Sequence, residues 1–262
     1  MIGLLDKLRG HKRQPIPDAL WAATVSALPF LDILPPDEQR QLRTLAEDFL
    51  AEKEFSAAGG LRLSDAIVVS IAAQAVLPVL RLGLAAYDDF VGVVVHPDEV
   101  VAHRSAPDEE GLVHEYDEPL VGEAMHRGPV MLTWRAVRQA GAAEGFAYNV
   151  VIHEFAHKLD MNDGLADGVP PLPPGLARAD WERVLHEAYE AFVQQVERGD
   201  ADASAMDPYG ATAPDEFFAV ASEAFFVLPE RMKGEQPALY EMLARFYRQD
   251  PAAEMPPLPQ RR

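Results

Sequence analysis

The densest chemistry in the chain lies in Val150-Val151-Ile152-His153-Glu154-Phe155-Ala156-His157-Lys158-Leu159-Asp160. On a helix, His153 and His157 stand four residues apart, so both imidazoles leave one face a turn apart and can grip one tetrahedral ion. Glu154 lies one position round the helix, at the rim of that face, where it reaches a metal-bound water without being a ligand. This H-E-x-x-H pattern is the chemistry of hydrolysis by activated water. Val150, Val151 and Ile152 make the helix half-buried, a setting in which two histidines without a ligand would need polar partners. Lys158 is a departure, a charge where zinc-peptidase helices usually keep a neutral residue.

A catalytic zinc takes three protein ligands and keeps a fourth position open. The metzincin extension of the motif needs His at 163 and Gly at 160; Asp163 and Asp160 stand there and exclude it. The gluzincin alternative draws a glutamate from a later helix. The segment from Pro214 offers Glu216 and Glu223, seven residues apart on one face and both flanked by apolar residues. Carboxylates so embedded are rarely buried unless paired or metal-bound. Asp160 either supports a ligand histidine from behind, as Glu223 could, or merely ends the helix.

These side chains need elements to hold them. The motif helix follows Gly145 and contains Asn149 to Leu159, and Asp163 to Gly175 is a Gly/Pro loop that no regular element tolerates. Asp180 opens a helix closed by Gly199, and a small-residue loop, Asp200 to Ala213, leads to a helix begun at Pro214 and Asp215 and ended at Pro229. Each loop is either a lid or a fixed surface connection. Gln236 to Arg248 is a last helix. Upstream, Ile16 to Leu34 reads as short helical pieces and turns. After Pro36, Leu42, Leu45, Phe49 and Leu50 fall at helical spacing in a helix closed by Gly59-Gly60. Ser64-Asp65 caps a buried helix over Ala66 to Leu84. Phe90 to Val95 and Val130 to Trp134 read as strands, and His103 to Pro119 as a polar, solvent-facing excursion. The fold class expected is α+β, mostly helical, with a small sheet.

Composition narrows the setting. At 262 residues and 48% hydrophobic, the chain can bury a substantial core. Its 42 acidic against 23 basic residues give a formal charge of -19, which repels phosphate backbones and anionic membranes, so no direct nucleic-acid or membrane partner is expected. The absence of cysteine leaves any metal to His and carboxylate. Ser70, Gln74, Pro78 and Arg81 interrupt the longest apolar run, and the N-terminal segment lacks the features of a secretory signal, so the chain reads as cytoplasmic.

The string HEFAHKLD followed by PDEFFAVASEAFF resembles the Mlc titration factor A family of zinc peptidases. The likeness extends upstream through EKEFSAAGGLRLSDAIVVSIAAQAVLPVLRLGLAAY and GEAMHRGPVMLTW, covering roughly residues 20 to 250. It implies one zincin-like metallopeptidase domain over 20–250, akin to the catalytic domain of the lethal factor toxin, between an N-terminal segment (1–19) and a mobile proline-rich tail (251–262). By the resemblance, His153, His157 and Glu216 are ligands of one Zn2+, Glu154 is the general base, and Tyr209 stabilises the oxyanion. It implies aminopeptidase activity on small peptide substrates, although the G-x-M-E-N amine-recognition motif of the large zinc aminopeptidases is absent. Some members also bind and sequester a transcriptional repressor. Two readings follow: an active zinc peptidase, or a regulatory binder that titrates a partner protein while zinc serves structure or switching.

Overall fold

Apolar periodicity forms most of the helices, and β-branched clusters form the centre of the sheet. A computed structural model describes residues 13–98, 100–107, 113–120, 122–143, 145–200 and 204–254. Helices α1 (Asp18–Ala27), α2 (Pro29–Asp32) and α3 (Pro36–Glu52) lead to β1 (Glu54–Ala57). α4 (Asp65–Ala75) connects to β2 (Gly92–His96), followed by a ribbon of β3 (Val100–Pro107) and β4 (Val113–Leu120). β5 (Gly122–Ala124) and β6 (Val130–Thr133) come next, then the short α5 (Trp134–Val137) and the hairpin β7 (Gly141–Ala143) and β8 (Phe146–Tyr148). The remainder is helical: α6 (Val150–Asp160), α7 (Arg178–Glu197), α8 (Pro214–Val227), α9 (Pro229–Glu235), α10 (Pro237–Tyr247) and α11 (Pro251–Glu254). The chain is an α+β, mostly helical protein, as expected.

The main sheet has the order β1-β2-β6-β5. β1, β2 and β6 are parallel, and β5 reverses against β6 with Glu123 opposite Met131. Val93, Val95, Val130 and Leu132 are fully buried beneath the helices. β5 therefore forms one edge of the sheet, next to α6.

Several elements depart from the sequence reading, each for a packing reason. α3 stops at Glu52 rather than near Gly59, because the chain extends to pair Phe55 with Val93. Lys53, at that switch, is buried, donating to the carbonyls of Tyr87 (2.6 Å) and Phe90 (2.8 Å). Sheet pairing here overrides helix propensity. α4 ends at Ala75 instead of Leu84, where Pro78 removes a donor and restricts the residue before it. Its Ser64 cap forms as expected, accepting from the Ile67 N–H. The excursion from His103 to Pro119 contributes an antiparallel ribbon. Pro251–Glu254 is helical with Pro251 buried, and the rest of the proline-rich tail, 255–262, lies outside the described residues, as do 1–12 of the N-terminal segment. No helix of the described residues is long and apolar enough to cross a membrane.

Two aromatic clusters grip the helices that matter for chemistry. Phe155, on the back of α6, sits among Phe49, Tyr87 and Phe90 at ring separations of 5.7, 5.1 and 5.7 Å. On α8, Phe218 and Phe225 pack against Trp181 (5.9 Å) and Tyr247 (5.5 Å) respectively. Burying one such ring stabilises the fold by about 2–3 kcal/mol, so both helices are firmly anchored by their apolar faces.

Candidate active site

α6 begins where Asn149 caps it, its side-chain oxygen accepting from the Ile152 N–H at 3.0 Å. With the apolar face fixed by Phe155, His153 and His157 are carried to the opposite side, as the spacing of four predicts. α8 runs beside α6 and presents Glu216 and Glu223 to it, one near its start and one two turns on.

His153 Nε2 lies 3.0 Å from Glu216 Oε2, His157 Nε2 lies 3.3 Å from the same oxygen, and the two Nε2 atoms are 3.2 Å apart. Tetrahedral ligands at 2.0–2.1 Å from a zinc ion are separated by about 3.3 Å, so this triangle fits such an ion. His153, His157 and Glu216 are the one group among the described residues whose ligand atoms converge in this way.

Glu223 stands behind His153. Its Oε1 accepts from His153 Nδ1 at 2.8 Å, so that a neutral ring would turn the lone pair of Nε2 towards the triangle, and its Oε2 accepts the backbone N–H of Asn149. Asp160 takes neither histidine as a hydrogen-bond partner. Its Oδ2 accepts from the Gly168 N–H at 2.8 Å, while Oδ1 is buried with no hydrogen-bond partner among the described residues. Asp160 thus secures the loop after α6, and burial pushes its carboxyl up to about 7.

Electrostatics follow from this crowding. Burial alone would lower His153, but its hydrogen bonds to Glu216 and Glu223 hold it well above its ordinary value. A proton and a cation therefore compete for the same imidazole. Burial would raise Glu216; the hydrogen bonds from His153 and His157 instead hold it well below the usual carboxylate range. Glu154 is only 5% exposed, and burial pushes it up to about 7 against the pull of His153 and His157. A cation at the triangle would favour its ionised form.

A cleft of about 710 Å³ opens over these groups, lined by both histidines, Glu154, Glu216 and Tyr209. Tyr209 is half exposed, and its ring centre lies 6.1 Å from that of His153. Its backbone is held by Asp207, whose Oδ1 accepts the Tyr209 N–H, and by the Thr212 hydroxyl donating to its carbonyl.

Both loops are tied to the body of the protein by hydrogen bonds where they are described. Gly168 holds Asp160 and Trp181 by its N–H and C=O, and Arg245 donates to Gly175 O at 2.7 Å. In the second loop, Ala205 bonds to both Ala147 and Glu235, and Gly210 lies close against Val220 of α8. Residues 201–203 lie outside the described residues.

Lys158, the anomaly of the sequence, proves fully buried on the reverse side of α6. Its ammonium pairs with Asp89 at 2.7 Å, donates to Met125 O at 2.9 Å and lies 4.8 Å from the centre of the Phe90 ring. It ties the metal-motif helix to the turn between β5 and β6. Removing the anion while leaving this ammonium buried should be costly: Asp89→Asn is expected to lower unfolding stability by about 3 kcal/mol. An unchanged urea midpoint would show the pair to be energetically neutral.

Sequence reasoning missed Gly122, Glu123 and Ala124 on β5, and Tyr148, Asp207 and Asp215, all of which line the cleft. The stretch 122–124 carries no β-branched residue, so nothing in it signals a strand. Asp215 reads from sequence only as a helix start.

The fold and the convergence of two imidazoles and a carboxylate beside a buried glutamate are those of a metallopeptidase. A family model described as glucose-regulated metallo-peptidase M90 matches residues 5–248, and the chain belongs to that family. Mlc titration factor A of Edwardsiella ictaluri is 41% identical to it, over 86% of this chain and 85% of that protein. The proteins of the same name from Pectobacterium atrosepticum and Serratia proteamaculans are 39% and 37% identical, over 90% and 94% of this chain and 88% and 92% of their own lengths.

Proposed function

We propose that the protein is a zinc-dependent peptidase of gluzincin type, acting in the cytoplasm, with His153, His157 and Glu216 as metal ligands. The observation that carries this reading is the triangle of 3.0–3.3 Å formed by their three donor atoms at the floor of a cleft that Glu154 also lines. Bound zinc supplies a Lewis acid that brings the pKa of water to about 7 and polarises a carbonyl oxygen. Glu154 takes the proton of the attacking water and hands it to the leaving amine. Glu223 keeps His153 in the tautomer that offers Nε2. Tyr209 donates a hydrogen bond from its hydroxyl to the substrate oxygen as negative charge gathers there.

Aminopeptidase action is the finer part of the proposal. Glu123, Asp207 and Asp215 add carboxylates to the cleft walls, which suits the ammonium of a peptide N-terminus. Since Tyr209 acts on the developing charge, Tyr209→Phe should mainly lower kcat, by about tenfold or more. An effect confined to KM would make it a substrate contact instead.

A second reading is favoured by the relatives' name, Mlc titration factor A, and by the family's description as glucose-regulated. In it the chain binds a transcriptional repressor, and the -19 charge suits a basic partner surface. The test is hydrolysis of a panel of aminoacyl and peptide chromogenic substrates by protein loaded with one equivalent of zinc. Chelator-sensitive turnover of aminoacyl substrates supports the peptidase. A fully loaded protein inert towards every substrate would leave the binding reading in its place.

A further inference from the structure

A tight steric constraint in the cleft falls on a residue with no side chain. Gly122 begins β5, the edge strand beside α6. A β-carbon at this position would lie 2.4 Å from Glu154 Oε1 and 2.8 Å from both its Cδ and Cγ. Approaches this short force something to move, and all three atoms belong to one side chain. The backbone of Gly122 is not in the left-handed region, so conformation does not demand glycine there; space alone does.

Glu154 can yield only by turning its own side chain. It is almost wholly buried, and its χ1 is restricted by the preceding helical turn. α6 itself is fixed from behind by Phe155, while Lys158 holds the β5–β6 turn at Met125 O. Added bulk at 122 must therefore swing the Glu154 carboxylate within the cleft.

We infer that Gly122 is a positioning residue for Glu154: the missing side chain forms the slot that sets the carboxylate beside the His153, His157 and Glu216 donors. The inference rests on the proposed role of Glu154 as general base. Displacing a reacting group by about an ångström can cost on the order of a hundredfold in rate.

The test compares Gly122→Ala, Glu154→Ala, Glu154→Gln and the two double variants for Tm, zinc content, kcat and KM. Gly122→Ala should keep its zinc and lose about tenfold to a hundredfold in kcat, with KM within about twofold. Gly122→Ala/Glu154→Gln should be no slower than Glu154→Gln alone, because the glycine acts through that carboxylate. In the Glu154→Ala background, which lacks Cγ, Cδ and Oε1, Gly122→Ala should no longer lower Tm. If Gly122→Ala does not fold, Gly122→Ala/Glu154→Ala should still fold and bind zinc. Wild-type kcat in Gly122→Ala, kcat losses that multiply, or an equal Tm loss in both backgrounds would overturn the inference. A zinc-loaded wild-type protein with no hydrolysis would instead overturn the peptidase reading.

Discussion

His157→Ala is expected to lose both bound metal and all measurable hydrolysis. His157 Nε2 stands 3.2 Å from His153 Nε2 and 3.3 Å from Glu216 Oε2, so removing it leaves two donors where a catalytic zinc needs three. The glutamates of α8 should then separate by role. Glu216→Gln replaces a charged donor at the triangle and should release the metal. Glu223→Gln leaves the triangle's donors in place and disturbs the support of His153 Nδ1 or of the Asn149 N–H, since an amide accepts at one of its two ends only; metal affinity should weaken by about 10–100-fold. Metal content after dialysis against a buffered zinc concentration measures all three. Stoichiometric zinc in His157→Ala would contradict the ligand assignment, and the opposite ranking of the glutamates would exchange their roles.

Glu154→Gln should separate metal binding from chemistry. The amide keeps the size of the side chain in its tight place against Gly122 but cannot accept a proton. Zinc should remain at one equivalent while turnover falls by about 10²-fold or more. The physical basis is location: Glu154 is buried at the cleft, beside the donor triangle without being part of it. Turnover near that of the wild type, with zinc bound, would remove Glu154 from the reaction and require another base.

The parts of this arrangement that one helix can encode were legible in the sequence. The spacing of His153 and His157, the apolar residues before them and the buried, glutamate-bearing run of α8 depend on helical periodicity, and helices α6 and α8 formed close to their expected limits. What escaped was set by pairing between distant segments. Nothing local marks 54–57 or 122–124 as strands; β1 exists because Phe55 meets Val93, and β5 because Glu123 meets Met131. Lys158 reads as anomalous in the sequence because its partners, Asp89 and Met125, come from other elements. Gly122 carried no signal, since the reason for a missing side chain lies in Glu154 across the cleft. The sequence offers Glu223 as a candidate support for a ligand histidine; the structure has it bonded to His153 and, beyond that expectation, to the start of α6. For Asp160 the sequence allows two roles, and its bond to Gly168 makes it a brace for the following loop.

The ligand set underlies every step proposed here, and anomalous diffraction at the zinc edge from crystals of the zinc-loaded protein tests it most directly. One strong peak is expected within about 2.0–2.1 Å of His153 Nε2, His157 Nε2 and a Glu216 oxygen, with Glu154 outside that distance. A peak elsewhere on the chain, or one that includes Glu154 and excludes Glu216, would contradict it.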